Sequence, residues 1–108
     1  ETQGTQFMSV DVRTVPNYYR LYDNYPNPFN PVTTIRYDLA QDSEVSLIVY
    51  NILGEVVSTM VSGYQNAGSY NLTWNGENSH GEKVSSGVYF FKLQSGDFIQ
   101  INKAVLLK

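Results

Sequence analysis

The sequence predicts an all-β fold: an Ig-like antiparallel β-sandwich of about seven strands, with a small barrel as the alternative. Three observations lead there. Apolar residues recur with a period of two, glycine-bearing turns follow one another about every ten residues, and no segment carries the 3.6-residue stripe of an amphipathic helix. Such short strands, alternating in polarity and joined by tight turns, bury their apolar faces by packing sheet on sheet.

The elements follow in order. Tyr18–Tyr22 reads as a first short strand, with Tyr18 and Tyr22 on one face and Tyr19 on the other. Ile35, Tyr37 and Leu39 alternate with Thr34, Arg36 and Asp38, as a half-buried strand requires. Val45, Leu47 and Val49 repeat the pattern against Glu44 and Ser46, while Ile48 and Tyr50 make the second face partly apolar. Gly54–Val61 is the next strand. Tyr70, Leu72 and Trp74, set against Asn71, Thr73 and Asn75, form the cleanest alternation in the chain. Tyr89, Phe91 and Leu93 follow, and the run from Phe98 to Leu107 closes the chain. Ser95-Gly96-Asp97, between two apolar runs, reads as a tight hairpin with glycine at a positive-φ position. Trp74 is the predicted core anchor, because its ring supplies a large apolar area and its indole N–H can serve a nearby carbonyl.

Composition bounds the function. At 108 residues the chain is one domain's length. Hydrophobic residues at 42% and charged residues at 16% exclude intrinsic disorder and coiled coil. A net charge of −3 gives no basic footprint for nucleic acid. Without cysteine there is no disulfide, thiol nucleophile or cysteine zinc site. No apolar run approaches a membrane span. The opening Glu-Thr-Gln-Gly-Thr-Gln reads as polar linker following something longer, not as a leader peptide. Residues 1–20 are therefore assigned to a linker, possible first strand from 17 included, and residues 21–108 to the sandwich.

All four prolines lie between Pro16 and Pro31, and seven of the eight glycines between Gly54 and Gly96. In Tyr25-Pro26-Asn27-Pro28-Phe29-Asn30-Pro31, three prolines fix φ and remove three backbone donors, which forbids a central strand or helix. A stiff extended turn is expected, pinned onto the sandwich by Tyr25 and Phe29.

Read together, several segments form an ordered series. They are Tyr25–Pro31, Val49-Tyr50-Asn51-Ile52-Leu53-Gly54-Glu55-Val56-Val57, and Ala67-Gly68-Ser69-Tyr70 leading to Trp74-Asn75-Gly76. Ser86-Gly87-Val88-Tyr89-Phe90-Phe91-Lys92-Leu93 and Lys103–Lys108 complete it. The series resembles the type A C-terminal sorting domain of the type IX (Por) secretion system, which is itself similar to the Ig-like domain of flagellar hook-assembly proteins. The resemblance runs from about Leu21 to Lys108. It implies a domain that follows a cargo enzyme or adhesin and is engaged by the outer-membrane translocon. It also implies cutting by a surface sortase, after which the cargo can be joined to an anionic lipopolysaccharide. Secretion through the periplasm to the cell surface is the implied location, and no cofactor is implied. The recognition surface maps onto Lys103, Ala104, Val105, Leu106, Leu107 and Lys108, with Gly96 in the Ser95–Asp97 turn. A terminal strand is an edge that can pair with another chain, although Val105 and Leu107 at period two read equally as core residues. Tyr25, Pro26, Asn27, Pro28, Phe29, Gly54, Trp74, Gly87 and Tyr89 are the structural residues of the series.

Other chemistry finds less support. His80 precedes Gly81 in a polar loop and reads as a turn residue, and Ser85-Ser86-Gly87 lacks both a base and a nucleophile elbow. No enzyme is expected. Asp38, Asp42 and Glu44 could form a carboxylate cluster, yet Gln41 and Ser43 around them read as a solvated turn between strands. Asn75, Glu77 and Asn78 bring oxygen atoms to a glycine-bounded loop, a weak calcium pattern without EF-hand spacing. The Asn71-Leu72-Thr73 sequon falls in a strand. Exposed tyrosines (Tyr18, Tyr19, Tyr22 and Tyr25) make a carbohydrate-binding or structural accessory module the alternative, with clamping of the first strand as the simpler account.

Overall fold

A computed structural model of the chain describes residues 15–108, so the linker assignment for residues 1–14 lies outside the described residues. Seven strands follow: β1 (Arg20–Leu21), β2 (Thr33–Leu39), β3 (Ser43–Asn51), β4 (Val56–Gln65), β5 (Gly68–Trp74), β6 (Gly87–Ser95) and β7 (Phe98–Leu106). They form a three-stranded sheet in the order β1-β2-β5 and a four-stranded sheet in the order β4-β3-β6-β7. Every pairing is antiparallel. The predicted sandwich is the fold.

Alternation sets the core. Ile35, Tyr37 and Leu39 from β2 face Val45, Leu47 and Val49 from β3 and Tyr89, Phe91 and Leu93 from β6. Trp74 is buried among Phe29, Tyr89 and Phe91, with ring centroids 5.7, 5.2 and 5.8 Å away, and its Nε1–H donates to the Glu77 carbonyl at 2.8 Å. The indole thus keeps its polar edge satisfied inside an apolar cluster.

Four local expectations are corrected. The first strand is only Arg20–Leu21: Tyr18 is exposed, while Tyr19 stacks on Phe98 at 5.4 Å. The strand expected at Gly54–Val61 is β4, Val56–Gln65, with Gly54 in the preceding turn at φ +82°. Two register shifts against β3 turn Val57, Met60 and Val61 toward the core, which breaks the simple alternation. Asp38 lies in its expected strand but is buried there instead of solvated beside Gln41 and Ser43, and it accepts hydrogen bonds from Tyr22 Oη at 2.6 Å and Ser69 Oγ at 2.7 Å.

The fourth correction concerns β7. The two-residue turn Gly96-Asp97 pairs Ser95 with Phe98, so Phe98, Gln100, Asn102, Ala104 and Leu106 face inward. Ile101 is 56% exposed and Leu107 51%, while Ala104 and Leu106 are buried; Val105 and Leu107 are therefore not the core pair. Polar residues occupy inward positions because β7 lies beside β1 at the sandwich seam. Gln100 Nε2 donates to the Leu21 carbonyl at 2.8 Å while Gln100 Oε1 accepts from Leu21 N–H at 3.0 Å, and Asn102 Nδ2 donates to the Tyr22 carbonyl at 3.0 Å.

Candidate functional site

The proline segment meets the chain's last strand. Pro26, Pro28 and Pro31, each preceded by a cis peptide bond, carry no N–H, so Asn27 and Phe29 do the hydrogen bonding between them. Asn27 Nδ2 donates to the Lys103 carbonyl at 3.1 Å and Val105 N–H donates to Asn27 Oδ1 at 3.0 Å. Phe29 N–H donates to the Val105 carbonyl at 2.9 Å, and Leu107 N–H to the Phe29 carbonyl at 2.9 Å. A carboxamide and one residue of parallel bridge therefore occupy the outer edge of β7 from Lys103 to Leu107. The sequence reading expected this edge to be open to another chain; it is already covered.

The dispersed motif residues converge on the same end. Gly87 pairs with Leu106 and Tyr89 with Ala104. Tyr89 Oη donates to the Ser85 carbonyl at 2.5 Å, and its ring meets Trp74 edge-on. At Gly76 the backbone sits at φ +76°, and a Cβ would lie 3.4 Å from Leu106 Cδ2 and 3.6 Å from the Pro31 carbonyl. Phe29 completes the wall. These residues form a socket around Leu106. Tyr25 does not help to pin the segment: its ring is 79% exposed, and only its backbone bridges Thr34. Gly96 lies in the turn before β7, a strand whose eight steps from Phe98 to Leu106 span roughly 26 Å at about 3.3 Å per residue, so it sits at the opposite end from the Leu106 socket.

Two loops at the socket end repeat one design. In Asn51-Ile52-Leu53-Gly54-Glu55, Asn51 Oδ1 accepts from Leu53 N–H at 2.9 Å and Glu55 N–H at 3.0 Å, while Asn51 Nδ2 donates to Glu55 Oε1 at 2.7 Å. In Asn78-Ser79-His80-Gly81-Glu82, Asn78 Oδ1 accepts from His80 N–H at 2.9 Å and Glu82 N–H at 3.0 Å, while Asn78 Nδ2 donates to Glu82 Oε1 at 3.0 Å. The shared Asn-x-x-Gly-Glu spacing was a legible signal that composition and periodicity pass over. The loops are adjacent, since Ser79 N–H donates to the Val57 carbonyl at 3.1 Å. Oxygen atoms considered for calcium are thus engaged locally: Asn78 holds its own loop and Glu77 lies 3.9 Å from Lys83 Nζ. Asn75 is exposed beside them. Among the described residues no three His, Cys, Asp or Glu side chains cluster as metal ligands.

The outer face of the three-stranded sheet carries the tyrosines. Tyr22 has the guanidinium carbons of Arg20 and Arg36 at 4.2 and 4.5 Å from its ring centroid. Its hydrogen bond to Asp38 raises the phenol above its ordinary value of 10.0, helped by desolvation and the Asp38 charge and opposed by the two arginines.

Residues 30–97 match the FlgD Ig-like domain model. The chain belongs to the FlgD Ig-like domain family. Solved structures with a similar fold include PorZ, an essential bacterial surface component of the type IX secretion system of Porphyromonas gingivalis, at 19% identity and TM-score 0.56 over 83% of this chain and 11% of that one. Dimeric latent PorU from the same organism is 20% identical with TM-score 0.60, over 78% of this chain and 9% of that one. FlgD from P. aeruginosa is 28% identical with TM-score 0.53, over 68% of this chain and 57% of that one. The domain spans less than two thirds of each of these chains. No curated protein sequence matches it. Among the described residues no helix is long and apolar enough to cross a membrane.

Proposed function

We propose that the domain is a non-enzymatic C-terminal sorting and surface-attachment module, directing a larger cargo protein through the type IX secretion system to the bacterial cell surface. The observation that carries this reading is the socket: Asn27, Phe29, Gly76, Gly87 and Tyr89 come from separate parts of the chain and meet the Lys103–Leu107 segment, with Trp74 packed against Phe29 and Tyr89. A chain whose motifs converge on its last strand presents that strand in one fixed shape. The fold shared with PorZ and PorU supports the same reading.

In this proposal the translocon reads an assembled end, not a loose peptide. Lys103, Val105, Leu107 and Lys108 offer side chains outward, while Ala104 and Leu106 hold the strand in place. Because Asn27 and Phe29 already fill the strand edge, recognition works through side chains, without strand addition. Beside the strand, Tyr50, Ile52, Phe90 and Ile101 line an apolar cleft of about 450 Å³ that such a partner can engage. A surface sortase, an anionic lipopolysaccharide and the upstream cargo domain are the further partners of this reading.

Fusing residues 21–108 to an unrelated periplasmic protein in a type IX-competent bacterium tests it. Export of the fusion to the cell surface is expected; retention of a folded fusion in the periplasm rejects the proposal.

A further inference from the structure

The outer face of the three-stranded sheet holds a cleft chemically distinct from the Leu106 socket. Antiparallel pairing sets Arg20 opposite Asp38, Tyr22 N–H on the Arg36 carbonyl and Tyr25 opposite Thr34. Two rows result, Arg20-Tyr22-Tyr25 and Asp38-Arg36-Thr34, bordering a cleft of about 580 Å³ lined by Arg20, Tyr22, Asp23, Tyr25, Thr34 and Arg36. That size falls in the roughly 300–1,000 Å³ range of small-ligand sites.

The charges in this cleft are not matched to each other. Asp38 is buried and accepts from two hydroxyls, those of Tyr22 and Ser69, so its carboxylate is engaged. Both guanidiniums are exposed, lie over the Tyr22 ring and, among the described residues, have no carboxylate within salt-bridge distance and donate no side-chain hydrogen bond. Stacking leaves a guanidinium's in-plane N–H fork free for a planar acid. Asp23, exposed at the cleft, is the one opposing charge on its lining. Tyr25 adds a free aromatic face at the same cleft.

The geometry points to a binding site for an acidic saccharide: the guanidiniums of Arg20 and Arg36 take the sugar's carboxylate, and the Tyr25 ring packs on its C–H face. A sheet face favours this over an acidic peptide. Its backbone groups are already paired within the ladder, so a peptide finds no main-chain partners there, and the lining offers no apolar pocket for side chains. The site lies on the opposite sheet from β7 and does not depend on the export role.

Titration of the full chain with hexagalacturonate, followed by calorimetry and amide chemical shifts, tests it. Binding is expected with shifts confined to Arg20–Tyr25 and Thr34–Arg36, weakened about tenfold or more in R20Q/R36Q, as loss of charge-assisted hydrogen bonds requires. Y25A is expected to bind several-fold more weakly and D23N more tightly, with melting temperatures of all variants near that of the unaltered chain. Any of four results overturns the site: neutral maltohexaose binding equally well, inorganic phosphate reproducing the same shifts at the same affinity, a poly-glutamate peptide binding as tightly and indifferently to Y25A, or R20Q/R36Q binding undiminished while folded.

Discussion

The Asn27 carboxamide stands in for a neighbouring strand against Val105. It takes the Val105 N–H on Oδ1 at 3.0 Å and donates Nδ2 to the Lys103 carbonyl at 3.1 Å, the two-bond pattern that a paired residue would supply. Pro26 and Pro28 on either side carry no competing N–H. Together with the Phe29 backbone bridge, this side chain covers the edge of the last strand, and covering an edge is one of the ways natural sheets keep it from pairing with other chains.

Replacing Asn27 with Ala removes both bonds. The expected cost is about 1–3 kcal/mol by urea denaturation, at roughly 0.5–1.5 kcal/mol per hydrogen bond. Hydrogen exchange at the Val105 amide should accelerate more than at amides in β3. An unchanged midpoint with unchanged exchange at Val105 would show that the cap contributes nothing.

Trp74→Ala is expected to cost ~3–5 kcal/mol, the range for large aromatic deletions in cores. Trp74→Phe should cost less, since it keeps ring contact with Phe29, Tyr89 and Phe91 and loses the bond to the Glu77 carbonyl. Equal losses in the two variants would mean that the hydrogen bond, not the packing, dominates.

Gly76 and Gly81 compare one backbone cost in a packed and an open setting. Both hold a positive φ, +76° and +79°, but a Cβ at Gly76 meets Leu106 and Pro31 while one at Gly81 meets open space. Gly81→Ala should lose about 1–2 kcal/mol from the left-handed conformation alone. Gly76→Ala should lose a similar amount, because its Cβ meets Leu106 and Pro31 at ordinary van der Waals distances and needs no shift of the socket. Thermal denaturation of the pair checks this; a much larger loss at Gly76 would show that the socket is crowded there.

The exposed end of the chain can be altered without touching the core. L107D/K108E is expected to melt within about 0.5 kcal/mol of the parent, as surface substitutions do, yet to lower export of a fused cargo. Removing Val105–Lys108 should block export as well, but it also deletes Leu106 from the core and so conflates folding with recognition. Normal export of the folded double variant would show that these side chains are not read.

Stability should fall in alkali. Tyr22 is raised above its ordinary value of 10.0 first by the hydrogen bond to Asp38; Tyr37 is raised first by burial and then by Tyr70, with Gln65 opposing. A raised folded value means that the protonated phenol is favoured in the folded state. Its contribution is complete below pH 10 and disappears as pH climbs through the folded value. Melting temperature should therefore drop above pH 10, and less steeply in Y22F. An identical slope in Y22F would remove Tyr22 from this account.

Much of the sandwich was legible in the sequence because alternation is a local property. Ile35-Tyr37-Leu39, Val45-Leu47-Val49 and Tyr89-Phe91-Leu93 read as inward triplets and are buried together, and Trp74 was visible as their anchor. Alternation misled at β7, where Ile99 and Ile101 look like core and face outward while Gln100 and Asn102 face inward. The Ser95–Phe98 pairing sets that register, and the seam with β1 makes inward amides useful.

The candidate site divides along the same line. Periodicity, proline and glycine by themselves determined the fold class, the turns and the stiffness of residues 25–31, because each follows from a residue's own φ preference or the face it shares with its neighbours. Only the tertiary structure decided that Asn27 and Phe29 cap Val105, that Gly76 and Gly87 border Leu106, and that Arg20, Arg36 and Tyr25 share a cleft. Those partners lie far apart in the chain, and hydrogen bonds and packing between distant residues have no local pattern from which to be read.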